Sequence, residues 1–216
     1  MVRRGPSAAV PALPHLVGGS LCLDFVNTVD PRHTTDRHEY LVSYSTLVTW
    51  SAYAGAITTQ DARRMRELGR RLPVEAHEVL SRAIKLRESL YRLFSSGLKQ
   101  AKPSPGDIRC LNRELSHALA EASVAFSAKG PSWVWAASRP SLDRMLWPIV
   151  RSAADLLVEG RATKVRECPG DETCGWLFLD LSKNSTRRWC EMRTCGNRAK
   201  ARRHYARILG SSNLAT

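Results

Sequence analysis

Four of the six cysteines stand in two pairs in the last quarter of the chain: Cys168, Cys174, Cys190 and Cys195. Five residues lie inside the first pair, fifteen between the pairs and four inside the second pair. Thiolates in such a closed set are the ligands of tetrahedral structural zinc sites. Pro169 and Gly170 in the first pair, and Gly196 after the second, are residue types that tight turns between ligands need. The pattern therefore predicts one structural zinc ion per chain.

Two other interpretations of the cysteines are a chance cluster of reduced thiols and a redox switch. A segment as short as residues 168–210 buries too small a core to fold without a staple. Zinc binding can supply roughly 10–16 kcal/mol of apparent free energy to such a module. Four ligands leave no open coordination position, which favours a structural metal over a redox switch. The stretch WLFLD (176–180) is predicted to be a strand whose Trp176 and Phe178 cover the metal.

A basic helix is predicted directly after the last cysteine, over NRAKARRHYARIL at 197–209. At about 100° per residue, one side of this helix is predicted to pack onto the protein: Ala201, Tyr205, Ile208 and Leu209. The opposite side carries cations that are predicted to contact DNA phosphates: Lys200, Arg203 and Arg207. The first turn of such a helix commonly enters the groove deepest, so Asn197 and Arg198 are predicted to lie nearest the bases. For the side chain of Asn197, capping of the helix is the favoured interpretation and contact with a base edge is the alternative.

Positive charge is concentrated around this helix and is high over the whole chain. Between residues 182 and 207 there are nine lysines and arginines against one acidic residue, Glu191. A zinc tetrathiolate carries a net charge of roughly −2, and three arginines beside the ligands are predicted to neutralise it: Arg187, Arg188 and Arg193. The formal net charge of the chain is +13, which indicates a polyanionic partner. The alternative is a merely basic surface without such a partner.

The composition is that of a soluble globular protein. The chain has 216 residues, of which 43% are hydrophobic and 25% are charged, and these proportions are ordinary. No apolar run approaches the roughly 18 residues that a membrane span needs. Prolines interrupt the apolar stretch near the N-terminus, which therefore lacks the core of a signal peptide. We expect a cytoplasmic protein whose residues 1–15 form a flexible leader.

The segments ahead of the cysteines are predicted to be mainly helical. Apolar spacing and capping residues predict helices over 45–54, 59–71, 74–97 and 104–122. The segment 21–29 fits both a strand and a helix, and we favour a helix. Two β-prone runs around residues 129–131 predict a hairpin. A last helix is predicted over 141–160, with a kink near Leu146 caused by Pro148.

These elements give a mainly α fold class in two parts. A helical N-terminal domain with one short β-hairpin precedes a small four-cysteine zinc-finger module, treble-clef-like or ribbon-like, in which a strand is followed by the basic helix. The predicted boundaries are a leader at 1–15, the helical domain at 16–160, a linker at 161–167 and the finger at 168–210.

The finger carries a motif that resembles a known family. From Cys174 to Lys200 the chain reads C-G-W-L-F-L-D-x-S-x-N-x-x-R-R-W-C-x-M-x-x-C-G-N-R-x-K. With Cys168 in front of it, this motif closely resembles the CGNR zinc finger. The resemblance implies that the four cysteines are the zinc ligands and that three further residues complete the signature: Gly196, Asn197 and Arg198.

The upstream sequence resembles the ABATE domain that precedes this finger. Three stretches carry the resemblance: LCLDFVNT (21–28), LRESLY (86–91) and LWPIVRSAADLL (146–157). Together the two resemblances cover nearly the whole chain. They imply a bacterial, stress-linked transcription regulator with a mainly helical N-terminal domain.

One polar pair in the N-terminal domain has two interpretations. Asp24 and Asn27 lie one helical turn apart in an apolar run, and the favoured interpretation is that both bond to backbone groups in the core. If they are not satisfied there, they mark a small-ligand pocket with Arg87 and Trp147 as walls. We find no paired carboxylates, no nucleophile with histidine support and no phosphate-cradling loop. The sequence therefore does not predict an enzyme.

The function predicted from these features is a zinc-dependent DNA-binding transcription regulator. In this interpretation the finger helix contacts double-stranded DNA, and the N-terminal domain senses a small-molecule ligand or dimerises. One finger covers a small footprint, so specific binding is expected to need a homodimer. The alternative is an RNA- or ribosome-associated zinc-binding protein.

Overall fold

A computed structural model describes residues 13–128, 130–135, 141–170 and 173–212. The helices of this part of the chain are α1 (Leu21–Val26), α2 (Tyr44–Tyr53), α3 (Thr59–Arg71), α4 (Pro73–Leu98), α5 (Pro105–Ala120), α6 (Leu146–Val158) and α7 (Asn197–Ser212). The strands are β1 (Val29–Asp30), β2 (His38–Glu39), β3 (Ala122–Ser127), β4 (Gly130–Trp135), β5 (Val165–Glu167) and β6 (Leu177–Leu179). The strands pair in sequence order as antiparallel couples. The fold class is therefore mainly α, as predicted.

Side-chain caps mark the starts of α2, α3 and α5. The predicted helices over 59–71, 74–97 and 104–122 are confirmed within two residues, and the ambiguous segment near residue 21 is helical. Ser104 caps α5 as predicted, by accepting a hydrogen bond from Gly106 N. Helix α2 is capped by Ser43 rather than near residue 45, because Ser43 and Thr46 exchange side-chain and backbone hydrogen bonds in a capping box.

Helix α6 begins later than predicted, and this changes the role of Pro148. The helix starts at Leu146, so Pro148 lies in the first turn. The backbone N–H groups of a first turn have no partner inside the helix, so a proline there removes no helical hydrogen bond. The kink predicted near Leu146 was therefore wrong. The C-terminal end agrees with the prediction, since Gly160 adopts a left-handed conformation with φ of 71°.

The core joins the helical domain to the first hairpin of the finger. Leu23 and Phe25 of α1 are fully buried among α4, α6 and β6. Val165 of β5 and Leu177 and Leu179 of β6 belong to the same hydrophobic core. The segment predicted as a linker, 161–167, is thus a short 3-10 turn followed by β5, which pairs with β6.

The predicted leader lies mostly outside the described residues, which begin at residue 13. Of its last residues, Leu13 packs against the core and His15 Nδ1 lies 3.0 Å from Glu191 Oε2 in the finger. Within the described residues, no helix is both long enough and apolar enough to cross a membrane.

Candidate metal centre and basic helix

The four cysteines predicted as ligands converge on one point. Their sulfur atoms all lie within 4.8 Å of one another and all four residues are buried. Cys174 Sγ is 3.8 Å from Cys190 Sγ, which is 3.6 Å from Cys195 Sγ. Four thiolates about 2.3 Å from a tetrahedral zinc ion lie about 3.8 Å apart, whereas a disulfide bond measures about 2.05 Å. The cluster therefore fits a zinc ion and does not contain disulfides.

Backbone hydrogen bonds and one glycine shape the first ligand loop. Cys174 N donates to Gly170 O at 3.1 Å, and Cys168 N donates to Trp176 O at 2.8 Å. A Cβ atom on Gly170 would lie 2.4 Å from Cys174 Cβ and 3.0 Å from Cys195 Sγ. Such contacts are too short for any side chain, so Gly170 leaves room for the sulfur atoms. Residues 171 and 172 of this loop lie outside the described part of the chain.

Gly196 is required for space and not for the turn predicted from the sequence. Its backbone does not adopt a positive φ. A Cβ atom there would lie 2.4 Å from Met192 Sδ and 3.3 Å from Trp189 Cδ1. A larger residue after the last ligand would therefore displace the Met192 side chain and crowd Trp189, which packs against the cysteine cluster.

Aromatic side chains cover the metal centre, as the sequence predicted for two of them. Trp176 and Phe178 pack with the four cysteines in one buried cluster, and Trp189 packs against its edge. Trp176 Nε1 also donates to Val29 O at 2.9 Å, which ties this cover to the N-terminal domain. The apolar surroundings exclude water from the thiolates, which is a property of closed structural zinc sites.

The N-terminal domain bonds directly to the finger around the ligand loop. Arg32 N donates to Cys174 O at 2.9 Å, and His33 N donates to Thr173 O at 3.0 Å. Asn27 Nδ2 donates to Leu177 O and Asn27 Oδ1 accepts from Leu177 N, both at 2.9 Å. The position of the finger is therefore fixed by hydrogen bonds from the backbone of Arg32 and His33 and from the side chain of Asn27.

The four residues predicted as a possible ligand pocket are not brought together around a ligand. The Asn27 amide is bonded to Leu177, as just described. Asp24 accepts from Gly18 N at 2.7 Å, and burial raises the pKa of Asp24 to about 6 against the effect of this hydrogen bond. Arg87 forms a bidentate ion pair with Glu39 at 2.6 and 2.7 Å. Asp24 and Asn27 thus satisfy backbone groups in the core, which was the favoured interpretation.

Trp147 differs from the other three residues of that set because one polar atom has no partner. Its indole is buried against Trp135 of the hairpin, with ring centroids 6.0 Å apart. The Nε1 atom of Trp147 forms no hydrogen bond with a described residue. A buried donor without an acceptor costs stability. None of Asp24, Asn27 and Arg87 accepts a hydrogen bond from it.

Arg187 holds the finger together from within. Its guanidinium donates to backbone carbonyl oxygens of the finger and of the N-terminal segment: Leu179 O at 3.2 Å, Trp189 O at 3.1 Å, Val17 O at 2.9 Å and Cys190 O. The same group lies 4.4 Å over the ring of Phe178. All these contacts are directed inward, so Arg187 contributes to packing beyond the charge neutralisation predicted for it.

The two residues predicted to lie nearest DNA bases make contacts inside the protein. Asn197 Nδ2 donates to Arg193 O at 3.2 Å. Arg198 Nη2 lies 3.4 Å from Cys195 Sγ. Burial raises the pKa of Asp30, and the nearby Arg198 guanidinium opposes that shift. Both side chains are exposed in part, but neither one is presented to solvent without a protein partner.

The packed side predicted for the basic helix is absent among the described residues. Residues 200–208 of α7 are all exposed, with Tyr205 at 65% and Ile208 at 49% of their full accessibility. The prediction that Ala201, Tyr205 and Ile208 pack onto the protein was therefore wrong, and the side chain of Leu209 lies outside the described residues. Helical periodicity identifies an apolar stripe but not whether a neighbouring element exists to cover it.

The cationic side of α7 is exposed as predicted. Lys200, Arg203 and Arg207 project from the helix, and Arg203 Nε donates to Ala199 O at 3.3 Å. Lys200 and Arg203 form no ion pair with a described residue. This arrangement leaves the charges on one face of a helix that begins two residues after a zinc ligand.

Asp180 is a finger residue whose role was not predicted from the sequence. It is buried at the end of β6 and accepts hydrogen bonds from Ser182 N at 3.0 Å, Ser182 Oγ at 2.6 Å and Arg187 N at 3.1 Å. These bonds, led by that from Ser182 Oγ, lower the pKa of Asp180. An aspartate two residues before a serine after a strand is a signal for an Asx-type turn.

Comparison with known families agrees with both resemblances. Residues 164–208 match the family described as CGNR zinc finger. Residues 19–160 match the ABATE family, described as "Putative stress-induced transcription regulator". No curated protein matches the chain. The first match and the sulfur geometry together assign one zinc ion to Cys168, Cys174, Cys190 and Cys195.

Proposed function

Because the chain belongs to the ABATE family and ends in a CGNR zinc finger, we propose that it is a zinc-dependent DNA-binding transcription regulator. The zinc centre holds the start of α7 in place, and α7 contacts double-stranded DNA. Because the proposed partner is chromosomal DNA, the protein is proposed to act in the cytoplasm.

The observation that supports this proposal most strongly is the exposure of α7. A 16-residue helix whose residues 200–208 are exposed on all sides has little tertiary packing to stabilise it, and such helices are marginal in water. Its exposed face carries Lys200, Arg203 and Arg207. Phosphate oxygens of duplex DNA neutralise such a row of cations and release counterions on binding. An α-helix also has the width that the major groove admits.

Arg198 and Asn197 are proposed to lie next to the bases, and both must first give up a contact within the protein. Arg198 must leave Cys195 Sγ, and Asn197 must leave Arg193 O, before either can bond to a base edge. Changing Arg198 should then relax specificity at one base pair, by about 1–3 kcal/mol if it contacts guanine.

The N-terminal domain is proposed to bring two copies together or to sense a ligand. The hairpin supports dimerisation, because Val124 and Phe126 of β3 are exposed on one face. Trp133 of β4 lies on the same face, with the Arg151 guanidinium 4.3 Å over its ring. Two such copies would place two fingers on adjacent half-sites. Sedimentation equilibrium of the chain and of a Phe126→Asp variant tests this role: a dimer that becomes a monomer supports it, and a monomer in both cases contradicts it.

A charge-removal experiment tests the DNA assignment. The variant carries Lys200→Ala, Arg203→Ala and Arg207→Ala, and a matched control carries Arg63→Ala, Arg64→Ala and Arg109→Ala, which are exposed arginines of α3 and α5. Affinity for duplex DNA is measured by fluorescence anisotropy across a salt series, with zinc content checked for each protein. The first variant should lower the salt slope by about 0.9 for each phosphate that is no longer neutralised, equally for all sequences. An unchanged slope on duplex DNA, or binding to RNA alone, would contradict the proposal.

A further inference from the structure

A second exposed basic element lies in the finger, apart from α7. The segment LSKNSTRR at 181–188, here called the basic loop, connects β6 to the ligand Cys190. Every residue of the basic loop except Arg187 is exposed. The loop contains three basic residues and no acidic residue.

The basic loop has a defined shape because its backbone is bonded internally. The Asp180 carboxylate holds Ser182 and Arg187 N at the two ends of the loop, as described above. Ser182 in turn accepts from Thr186 N through its Oγ at 2.9 Å and from Ser185 N through its carbonyl at 3.1 Å. A loop ordered before binding loses less conformational entropy when it binds a partner.

The two adjacent arginines at the end of the loop have different surroundings. Arg187 directs its guanidinium inward onto backbone carbonyls and the ring of Phe178. Arg188 is exposed, and its guanidinium lies 5.6 Å from the ring of Trp189. Lys183 is exposed at the other end of the loop and forms no hydrogen bond or ion pair with a described residue. Arg187 is thus directed into the finger, whereas Arg188 and Lys183 are exposed on the surface, where a partner can contact them.

The residue that follows the basic loop lies beside the residue that precedes α7. Trp189, which follows the loop, has its Cδ1 atom 3.3 Å from where a Cβ of Gly196 would stand, and Gly196 precedes α7. Glu191 lies between them in sequence, but its carboxylate is occupied by His15 at 3.0 Å and Thr194 at 3.3 Å. Two exposed cationic elements therefore flank the same metal centre.

We propose that the basic loop is a second phosphate-binding element, in which Lys183 and Arg188 hold the sugar–phosphate backbone of the duplex that α7 enters. This inference rests on the proposed function, because it takes duplex DNA as the partner of α7. Phosphate contacts from two elements on either side of a groove fix the register of a helix within it. The exposed Asn184 and Ser185 side chains add neutral donors of the kind that bond to phosphate oxygens.

The test compares a loop variant with two references by the same anisotropy measurement. The loop variant carries Lys183→Ala and Arg188→Ala, the first reference carries the three substitutions in α7, and the second carries Arg63→Ala and Arg64→Ala. The loop variant should lower the salt slope by about 1.8, or about 0.9 per phosphate, on every DNA sequence. The charge-preserving pair Lys183→Arg and Arg188→Lys should keep the slope of the unchanged protein. Zinc content and melting temperature should stay unchanged in all of these proteins.

The outcomes separate this inference from the proposed function. If the α7 variant loses slope and the loop variant does not, the loop inference is overturned while the function of α7 stands. If the loop variant loses no more slope than the Arg63 and Arg64 reference, the effect is one of net charge and the inference is again overturned. If neither the loop nor the α7 variant changes the slope, both proposals fail. A loss confined to the loop and α7 variants supports both.

Discussion

The two halves of the zinc finger differ in what stabilises them. In the cysteine half, residues 165–196, the ligands and Phe178 are buried and the backbone is bonded to the N-terminal domain. In the helix half, α7, the side chains of residues 200–208 are exposed. The cysteine half thus holds the start of α7 in place, while the rest of that helix is exposed. In the proposed function, DNA contacts this exposed part of α7.

Removal of zinc should have the largest effect, and it should be confined at first to the cysteine half. Zinc supplies roughly 10–16 kcal/mol of apparent free energy to such sites, which matches or exceeds the roughly 5–15 kcal/mol stability of a whole domain. A Cys190→Ser variant should lose its zinc, and hydrogen exchange at residues 165–179 should become fast. Because Val165, Leu177 and Leu179 belong to the main core, the melting temperature of the helical domain should fall as well.

The matched control for this prediction is Cys110→Ala. Cys110 is also buried, but it lies in α5, away from the metal centre. This variant should keep one zinc ion per chain. Full zinc occupancy in Cys190→Ser, measured by metal analysis, would contradict the assignment of the four ligands.

Replacing one aromatic residue in each half by alanine should give the next largest difference in stability. Phe178 is fully buried, and Phe178→Ala should cost about 3–5 kcal/mol because apolar packing is removed and a cavity is left. Tyr205 is mostly exposed, so Tyr205→Ala should change stability by no more than about 0.5 kcal/mol. Denaturant unfolding of both variants measures the difference. A large loss of stability in Tyr205→Ala would show that α7 packs on the protein, as its periodicity predicted.

An effect of similar size should follow from breaking the contact between the N-terminal domain and the cysteine half. Asn27→Ala leaves Leu177 N and Leu177 O buried without their partner, and each unsatisfied group costs about 1–3 kcal/mol. The free energy of unfolding should fall by about 2–6 kcal/mol for the two groups together. Asn112→Ala on the exposed side of α5 is the control and should be nearly neutral. Equal effects of the two variants would mean that the contact does not couple the two parts.

The sequence predicted the features that depend on residues close together in sequence, and it missed features that depend on residues far apart in sequence. The bounds of α3, α4 and α5 and the cap at Ser104 follow from residue types within a few positions of each other. Ligand chemistry is equally local, because four thiolates at workable spacing define a zinc site whatever surrounds them. The sequence alone therefore located the metal centre and most of the helical domain.

The partners that were not predicted, and the errors, mostly concern segments that are far apart in sequence. Nothing near Asn27 indicates that its amide pairs with Leu177, 150 positions away. Periodicity placed Tyr205 on a packed face, but no described element covers α7. The short segment 161–167 has few residues from which to recognise a strand, and its pairing with β6 depends on the fold. The kink predicted from Pro148 was wrong because the helix begins at Leu146, where no side-chain cap marks its start.

Hydrogen exchange with and without duplex DNA tests the central claim, that α7 is the part of the finger whose partner is DNA. In the free protein, amides of residues 200–208 should exchange fast, because an exposed helix opens readily. Saturating DNA should slow these amides by at least about tenfold, since binding lowers their opening equilibrium, while residues 177–179 of the cysteine half should not change. If DNA binds and the exchange of α7 is unaltered, the account is contradicted.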